Sequence, residues 1–409
     1  MTSLTSHERL LRTIEGRPVD RIPIRSPLNW NPLEPEPEPG SWQDACNYRL
    51  VRDLVAESCD FLVNICVPEA HEADTAGQKG YERLTGGIFE RRFFLIPPEY
   101  VHVAEQGLHD QRRYTTYLIR TPKGELRTTD EEDPEIDTTW NTEPLIKDLE
   151  DAERILSVPY CFESPDPTPF LSCRDRLGNR GLASIFISSP ITHISRMMHF
   201  ETFLEWTVSE RDLIHRMLAV ITERIAERLS WALDHGIGPV FHFGGMEQAT
   251  PPMMSNRLFD EMVVGYEGEL SRMVRDRGGI VHVHCHGRVG TVLERIIEMG
   301  AHMLDPLEPP PAGDIDLAEA RRRVAGRLVL IGNIEWSDFE HRSPDDIEEL
   351  VCRAIEAGGP DRFILAASDE TISAVSDRLR ENLVRFVEAG IRYGKRSLKR
   401  SDDHGCVRT

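Results

Sequence analysis

"GGIVHVHCHGRVGTVLERIIEMGAHMLDPLE", residues 278–308, reads as strand, helix, strand. Two glycines precede the apolar run at 280–285, whose isoleucine and valines favour extended backbone. From Gly290 to Gly300 the apolar side chains fall at 292, 293, 296, 297 and 299, the spacing of one helix face. A second apolar run, "AHMLDPLE", follows at 301–308. Two strands joined by an amphipathic helix form the crossover unit of a parallel sheet. Within the first strand, His282, His284 and His286 share one face, and Val281, Val283 and Cys285 share the other. Three imidazoles on one face are either a solvated polar strip or a set of ligands aimed into a site.

The same grammar recurs along the chain. Strands are predicted at "DRIPIRSP" (20–27), "CDFLVNICV" (59–67), "GLASIFISS" (181–189), "PVFHFGG" (239–245), "RLVLIGNIE" (327–335) and "RFILAAS" (362–368). With the two in the opening stretch they make eight. A helix is predicted over 209–235, with apolar residues at 213, 214, 217, 218, 221, 225, 229, 232 and 233. Ser209 with Asp212 resembles its capping box, and Gly236 stands where the helix would end. Further helices are predicted in "RLFDEMVVGYEGELSRMVRDRGG", "IDLAEARRRVAG" and "DIEELVCRAIEAGG", with Asp314 and Asp316 capping the second of these. Eight strand-helix units predict a single (β/α)8 TIM barrel over residues 1–394. The alternative, an open doubly wound sheet, would call for a glycine-rich phosphate loop after the first strand, which is missing.

One segment, about 81–150, breaks the rhythm. It contains "RRYTTYLIRTPKGELRTTDEEDPEIDTTW", read as a β-hairpin turning at Pro122-Lys123-Gly124 and followed by an acidic loop. This is expected to be an insertion in the barrel. Residues 395–409 hold too few apolar side chains to pack and are expected to form a flexible tail.

Composition limits the partners. A formal net charge of −21 opposes nucleic acid and anionic membrane surfaces, both of which need a cationic face. No run reaches the length of a membrane span, and the first residues show neither the apolar core nor the cleavage site of a secretion signal. Eight cysteines without framework spacing suit a reducing compartment, so a cytoplasmic protein acting on small molecules is expected.

In barrels of this kind the active site lies at the C-terminal ends of the strands. In chain order those ends supply Arg25, Asn29 and Trp30, then Cys66 and Glu69, then Ser188, Ser189 and His193, then Glu247. After these come His284 and His286, Asp305 with Glu308, Asn333 with Glu335, and Ser368, Asp369 and Glu370. Imidazole with carboxylate suits zinc, and three protein ligands with one open position would mark a catalytic site. Each residue also has a plain structural reading. His282 sits early in its strand, as a hydrogen-bonded core histidine would, and Cys285 reads as a small packing residue. Glu247 either binds or caps the segment after it, and the Glu-Pro run 34–39 reads as a stiff loop able to act as a lid.

"SHERLLRTIEGRPVDRIPI" (6–24) and "HCHGRVGTVLERIIEMGAHMLDPLEPPPAGDIDLAEARRRVAGRLVLIGNIE" (284–335) resemble the uroporphyrinogen decarboxylase superfamily. That superfamily includes tetrapyrrole decarboxylases and zinc-dependent methyltransferases that exchange methyl groups with corrinoid proteins. The resemblance implies the barrel reached above from element counting. The decarboxylases hold their polyanionic substrate with an arginine-rich loop after the first strand. Here that loop is "RSPLNWNPLEPEPEPG", with Arg25 set against Glu34, Glu36 and Glu38, and it would repel a polyanion. The methyltransferases bind zinc through a His-x-Cys pair at the fifth strand and a cysteine after the eighth. In this chain the resemblance places His284 at the histidine position and His286 at the cysteine position, with Ser368 or Asp369 where the last cysteine would stand. Thiolate-rich zinc suits a thiol acceptor, whereas imidazole and carboxylate make a harder site suited to polarising an oxygen.

The expected function is metal-assisted demethylation of a small methylated substrate, with the methyl passed to a corrinoid on a partner protein. Glu247, His284 and His286 are the expected zinc ligands, and Glu308 or Glu335 the general acid. Arg25, Asn29, Trp30, Cys66, His193, Asn333 and Ser368 are expected to line the substrate. The competing expectations are decarboxylation of a tetrapyrrole or small acid anchored by Arg25, and a non-catalytic ligand-binding barrel.

Overall fold

A computed structural model describes residues 3–68, 87–90, 96–133 and 138–395. Glu69, residues 396–409 of the expected tail, and parts of the 81–150 segment lie outside the described residues. The strands are β1 (Phe61–Asn64), β2 (Val101–His109), β3 (Arg112–Thr121), β4 (Gly124–Asp133), β5 (Thr138–Glu143), β6 (Gly181–Ser188), β7 (Val240–Gly244), β8 (Ile280–His284), β9 (Met303–Asp305), β10 (Val329–Ile334) and β11 (Phe363–Ala367). The chain divides into two compact units. One comprises Met1–Val63, Arg174–Ala183 and His302–Thr409; the other comprises Asn64–Cys173 and Ser184–Ala301.

In the first unit β9, β10 and β11 run parallel in chain order. Leu330 is paired with Leu304 on one side and Phe363 on the other. The helix Pro344–Gly358 packs on β10 and β11 through its buried Ile347, Val351, Ala354 and Ile355. Its start is fixed by a capping box, in which the Ser343 hydroxyl accepts from the Asp346 amide and the Asp346 carboxylate accepts from Ser343. The strand predicted at 20–27 is reduced to isolated bridges, antiparallel from Arg21 to Lys395 and parallel from Ile24 to Leu365 and from Arg25 to Asp60. Pro23 and Pro27 explain this, because neither has an N–H to give to a ladder.

A buried ionic knot holds that short segment in place. Asp60, with a fully buried side chain, accepts from Arg9 at 2.6 Å, from Arg21 at 2.6 Å and from the Ile24 amide at 3.0 Å. Arg9 also donates to Asp20 at 2.8 Å. Although burial opposes ionisation of Asp20, its bonds to Arg9 and to the Leu4 and Arg21 amides lower its pKa to about 2.

In the second unit β6, β7 and β8 run parallel, with Ser188 opposite Gly244 and Gly244 opposite His284. The helix predicted from Ser209 begins at Arg211 instead, and Ser209 closes the preceding helix Phe200–Ser209. Its hydroxyl donates back to the Glu205 carbonyl, so it is not free to cap the next helix. Gly236 does take the left-handed conformation expected at the far end, with φ of 71°.

This unit also holds an antiparallel sheet in the order β2-β3-β4-β5. β3 and β4 meet at Thr121 and Gly124, around the predicted turn. The stretch read as an acidic loop is strand as far as Asp133. Glu131 pairs with Trp140, Glu132 with Thr139 and Asp133 with Thr138. Alternation explains the strand: Leu126, Thr128 and Asp130 are buried, while Glu125 and Arg127 are exposed. Arg113 faces Glu132 across the ladder at 3.4 Å. The fold is thus mixed α/β, with parallel strands joined by helices and a separate antiparallel sheet. Among the described residues, no helix is long and apolar enough to cross a membrane.

Replacing Asp60 with alanine leaves two buried guanidinium groups without their shared carboxylate. Asp60→Ala should therefore cost about 3–5 kcal/mol of unfolding free energy in urea titration. A loss under about 1 kcal/mol would show that the knot is not what anchors the 20–27 segment.

Candidate functional site

In the second unit the strand register builds a column of imidazoles. Phe186, His242 and His282 are paired across β6, β7 and β8, and Ser188, Gly244 and His284 are paired one pleat further on. Residues two apart share a face, so both rows look the same way. The His242 and His282 rings stack face to face, 4.0 Å between centroids and 5° apart in plane. His284 meets His242 edge-on at 5.6 Å, and His286 meets His284 edge-on at 4.6 Å. Phe186 closes the other side of His242 at 5.0 Å, and Asn64 Nδ2 lies 3.3 Å from His242 Nδ1.

Two glycines make room for this column. A Cβ on Gly244 would stand 2.6 Å from the Phe186 ring and 3.5 Å from His284 Cβ. Gly245 has φ of 97°, and a Cβ there would meet Thr192 Oγ1 at 2.2 Å.

His242 and His284 each offer a ring nitrogen to a common point, within 4.8 Å of one another. Imidazole nitrogens on adjacent strand ends suit zinc and other borderline cations. His242 had not been singled out from the sequence, although "VFHFGG" holds a histidine two residues before the strand's last glycine, just as β8 holds His282 and His284. His193 lies buried in the helix Pro190–Ser195. Burial first, then the nearby Arg196 and Arg228, push its pKa down to about 3, so it stays neutral at ordinary pH. Cys66 is half-buried just past β1, and Cys285 is fully buried.

Glu247 falls in the short turn Met246–Ala249, with Oε2 buried and lacking a hydrogen-bond partner. Close to it is a carboxylate that the sequence did not mark, Glu267, on the helix Gly265–Asp276. Glu267 is fully buried and accepts from the Ser189 hydroxyl at 2.5 Å. Burial pushes its pKa up to about 8; the Ser189 bond opposes the shift and the Glu247 charge adds to it.

The first unit holds a different chemistry. Arg25 donates to Asp305 and, at 3.1 Å, to Glu370. Desolvation works against the Arg25 charge, but the two carboxylates outweigh it and raise its pKa. Asn29 is exposed, and Trp30 sets its ring edge-on to Phe61 at 5.8 Å. Asn333 is half-buried on β10, and Glu335 is the N-cap residue of the helix Trp336–His341. Ser368 accepts from the Trp336 amide at 2.9 Å, which ties the end of β11 to that helix. Glu308 is half-buried, three residues beyond β9.

A family-wide sequence profile described as uroporphyrinogen decarboxylase (URO-D) matches residues 125–390. The methylcobamide:CoM methyltransferase MtaA of Methanosarcina barkeri is 22% identical over 148 residues, covering 36% of this chain and 41% of that protein. A uroporphyrinogen decarboxylase of Microcystis aeruginosa is 23% identical over 211 residues, covering 49% of this chain and 56% of that protein. The chain thus spans about half the length of these curated relatives. A solved methyltransferase structure from Methanosarcina mazei shares the fold, with a TM-score of 0.59 at 15% identity over 96% of this chain and 99% of that one.

The buried Glu267 sets a pH dependence. With its pKa raised to about 8 it keeps its proton in the folded state, whereas in the unfolded chain it ionises near the ordinary glutamate value of 4.5. Between these values the unfolded state binds fewer protons, so stability falls as pH rises through that window. Glu267→Gln should flatten the fall in denaturation midpoint across it. An unchanged slope in the variant would assign the effect to other groups.

Proposed function

The chain belongs to the uroporphyrinogen decarboxylase family, and from that premise we propose that it is a metal-assisted methyltransferase. It takes the methyl group of a small substrate and passes it to a corrinoid on a separate protein, in the cytoplasm. The likeness to a methylcobamide:CoM methyltransferase and the shared fold of a solved methyltransferase support this reading. They also support a closed (β/α)8 barrel as the full form of the parallel strands. The observation that carries the proposal is the histidine column, with His242 and His284 presenting ring nitrogens within 4.8 Å.

These donors fit zinc, with Glu247 as the oxygen ligand because its buried Oε2 has no hydrogen-bond partner. Bound there, zinc would supply Lewis-acid polarisation of the atom that loses the methyl group. The chain's own part is positional and protonic. Asn64 orients the His242 ring, Gly244 leaves room for the Phe186 ring beside it, and His286, edge-on to His284, remains a proposed zinc ligand. The departing atom keeps the bonding pair and takes a proton from Glu308 or Glu335. Arg25, Asn29, Trp30, Cys66, His193, Asn333 and Ser368 remain the proposed substrate contacts.

The decarboxylase likeness favours a second reading, decarboxylation of a tetrapyrrole or small acid. Two features weigh against it. Arg25 is already engaged by Asp305 and Glu370, and of the loop glutamates Glu36 finds a cation in Arg52 at 2.7 Å while Glu34 is bonded by Asn31 at 2.8 Å. No spare arginine is left in this loop for a polyanion. Uroporphyrinogen should therefore give no coproporphyrinogen in an anaerobic assay, and robust turnover would replace the methyltransferase reading with the decarboxylase one.

The metal is tested directly. Protein purified without chelator should hold roughly one zinc per chain by elemental analysis. His242→Ala and His284→Ala should each lose it while keeping the circular dichroism of the parent. Loss in Asp305→Asn but not in Glu247→Gln would move the oxygen ligand to Asp305. Metal near zero in the parent chain would sink the proposal.

A further inference from the structure

The turn Met246–Ala249, which follows β7, is pinned at almost every residue. The Gly244 carbonyl accepts from the Ser189 amide at 2.8 Å, and a Cβ on Gly245 would collide with the Thr192 hydroxyl. Met246 and Ala249 are fully buried. The Glu247 carbonyl accepts twice from Thr250, from its amide at 3.1 Å and from its hydroxyl at 2.8 Å. The side-chain oxygen of Gln248 accepts from the Ser195 hydroxyl.

Three of these contacts come from one short helix. Ser189, Thr192 and Ser195 stand three residues apart on the helix Pro190–Ser195 and its N-cap, so they share a side, and all three are buried. Ser189 is anchored in turn by its hydroxyl, which donates to Glu267 at 2.5 Å. One group in the turn is left out. Among the described residues, the buried Oε2 of Glu247 has no hydrogen-bond partner. A carboxylate oxygen taken from water and given nothing to bond is costly. A fold that fixes the chain on either side of such a group holds it ready for a ligand.

We infer that Ser195 and Gln248 are positioning residues for Glu247. Their hydrogen bond, with the Thr192 contact and the Ser189–Glu267 pair behind it, fixes where the carboxylate meets the metal. This rests on the methyltransferase reading and its zinc site. Groups that orient a ligand without binding the metal change its affinity roughly 10–100-fold when removed. The plain alternative is that the bond only closes the turn. Its loss would then lower stability without acting through the Glu247 carboxylate.

Titrating the full chain with zinc against a chromogenic chelator reads the site without substrate or corrinoid. Ser195→Ala and Gln248→Ala should each weaken zinc binding roughly tenfold or more. Combined, they should cost no more than either alone, since both remove one contact. Ser195→Thr, which keeps the hydroxyl, should bind zinc as the parent does. The deciding comparison is made in Glu247→Gln, which keeps both imidazoles. There Ser195→Ala should add less than about a twofold loss, because it acts only through the missing carboxylate. Thermal melts of each variant check the fold, and Gln248→Ala decides the matter if Ser195→Ala unfolds. Parent-like zinc affinity in both alanine variants overturns this inference alone. So does the same tenfold loss recurring in Glu247→Gln, which would mark the bond as merely structural. A parent chain that takes up no zinc overturns the methyltransferase reading and this inference together.

Discussion

Parallel register is the constraint on which the histidine column depends. Two imidazoles can lie 4.0 Å apart and nearly coplanar because His242 and His282 are Cα partners in adjacent parallel strands. Pleating then places the next residue of that face, His284, one step along the strand, where it meets His242 edge-on. A slip of one residue in β8 would turn Val281 and Val283 toward His242 and bury three histidines against helices instead. Desolvating them there would cost several kcal/mol in unmet hydrogen bonds, so the register is held by the same side chains that it positions.

The two units divide the chemistry. One offers nitrogen donors beside the Phe186 ring, which meets His242 edge-on. The other concentrates ionic pairs: the Asp60 knot beneath the 20–27 segment, and the Arg25 pairing with Asp305 and Glu370 above it. These are linked through two adjacent residues of backbone, Ile24 and Arg25. Asp60 bonds the Ile24 amide, and Arg25 is the next residue, bridged to Asp60 and bonded through its own amide to the Leu365 carbonyl. An internal salt bridge of this sort gives modest net stability, but removing one partner is expensive, which makes it a good device for fixing a position.

What could be read from the sequence follows physical range. The parallel strands from 59 onward are legible because apolar runs bounded by glycine and amphipathic helices are local signals, whereas β2 and β5 of the antiparallel sheet are not. The 20–27 segment has the apolar pattern of a strand, yet two prolines confine it to single bridges. The acidic stretch after the hairpin was misread because charge outweighed a threonine-rich alternation whose partner strand lies several residues downstream. His242 was missed for a related reason. Alternation within "VHVHCH" marks a face, but only the pairing of β7 with β8 shows that a lone histidine on one strand belongs to the set on the other. Glu267 gave no signal at all, since a glutamate on an amphipathic helix looks solvated until the helix is packed.

Family membership leaves the reaction open, because a methyltransferase and a decarboxylase are both similar to this chain. Where the resemblance would put cysteines, this chain carries an imidazole at 286 and a hydroxyl or carboxylate at 368–369. The only cysteine of that stretch, Cys285, is fully buried and turned to the opposite face of the strand by the period of two. A thiolate site would keep negative charge close to the metal and favour a sulfur nucleophile. Neutral imidazoles leave more of the metal's charge to act on a substrate atom, which strengthens polarisation and weakens the hold on a thiol. The proposed donor set would therefore suit activating the methyl-bearing partner rather than a thiol acceptor.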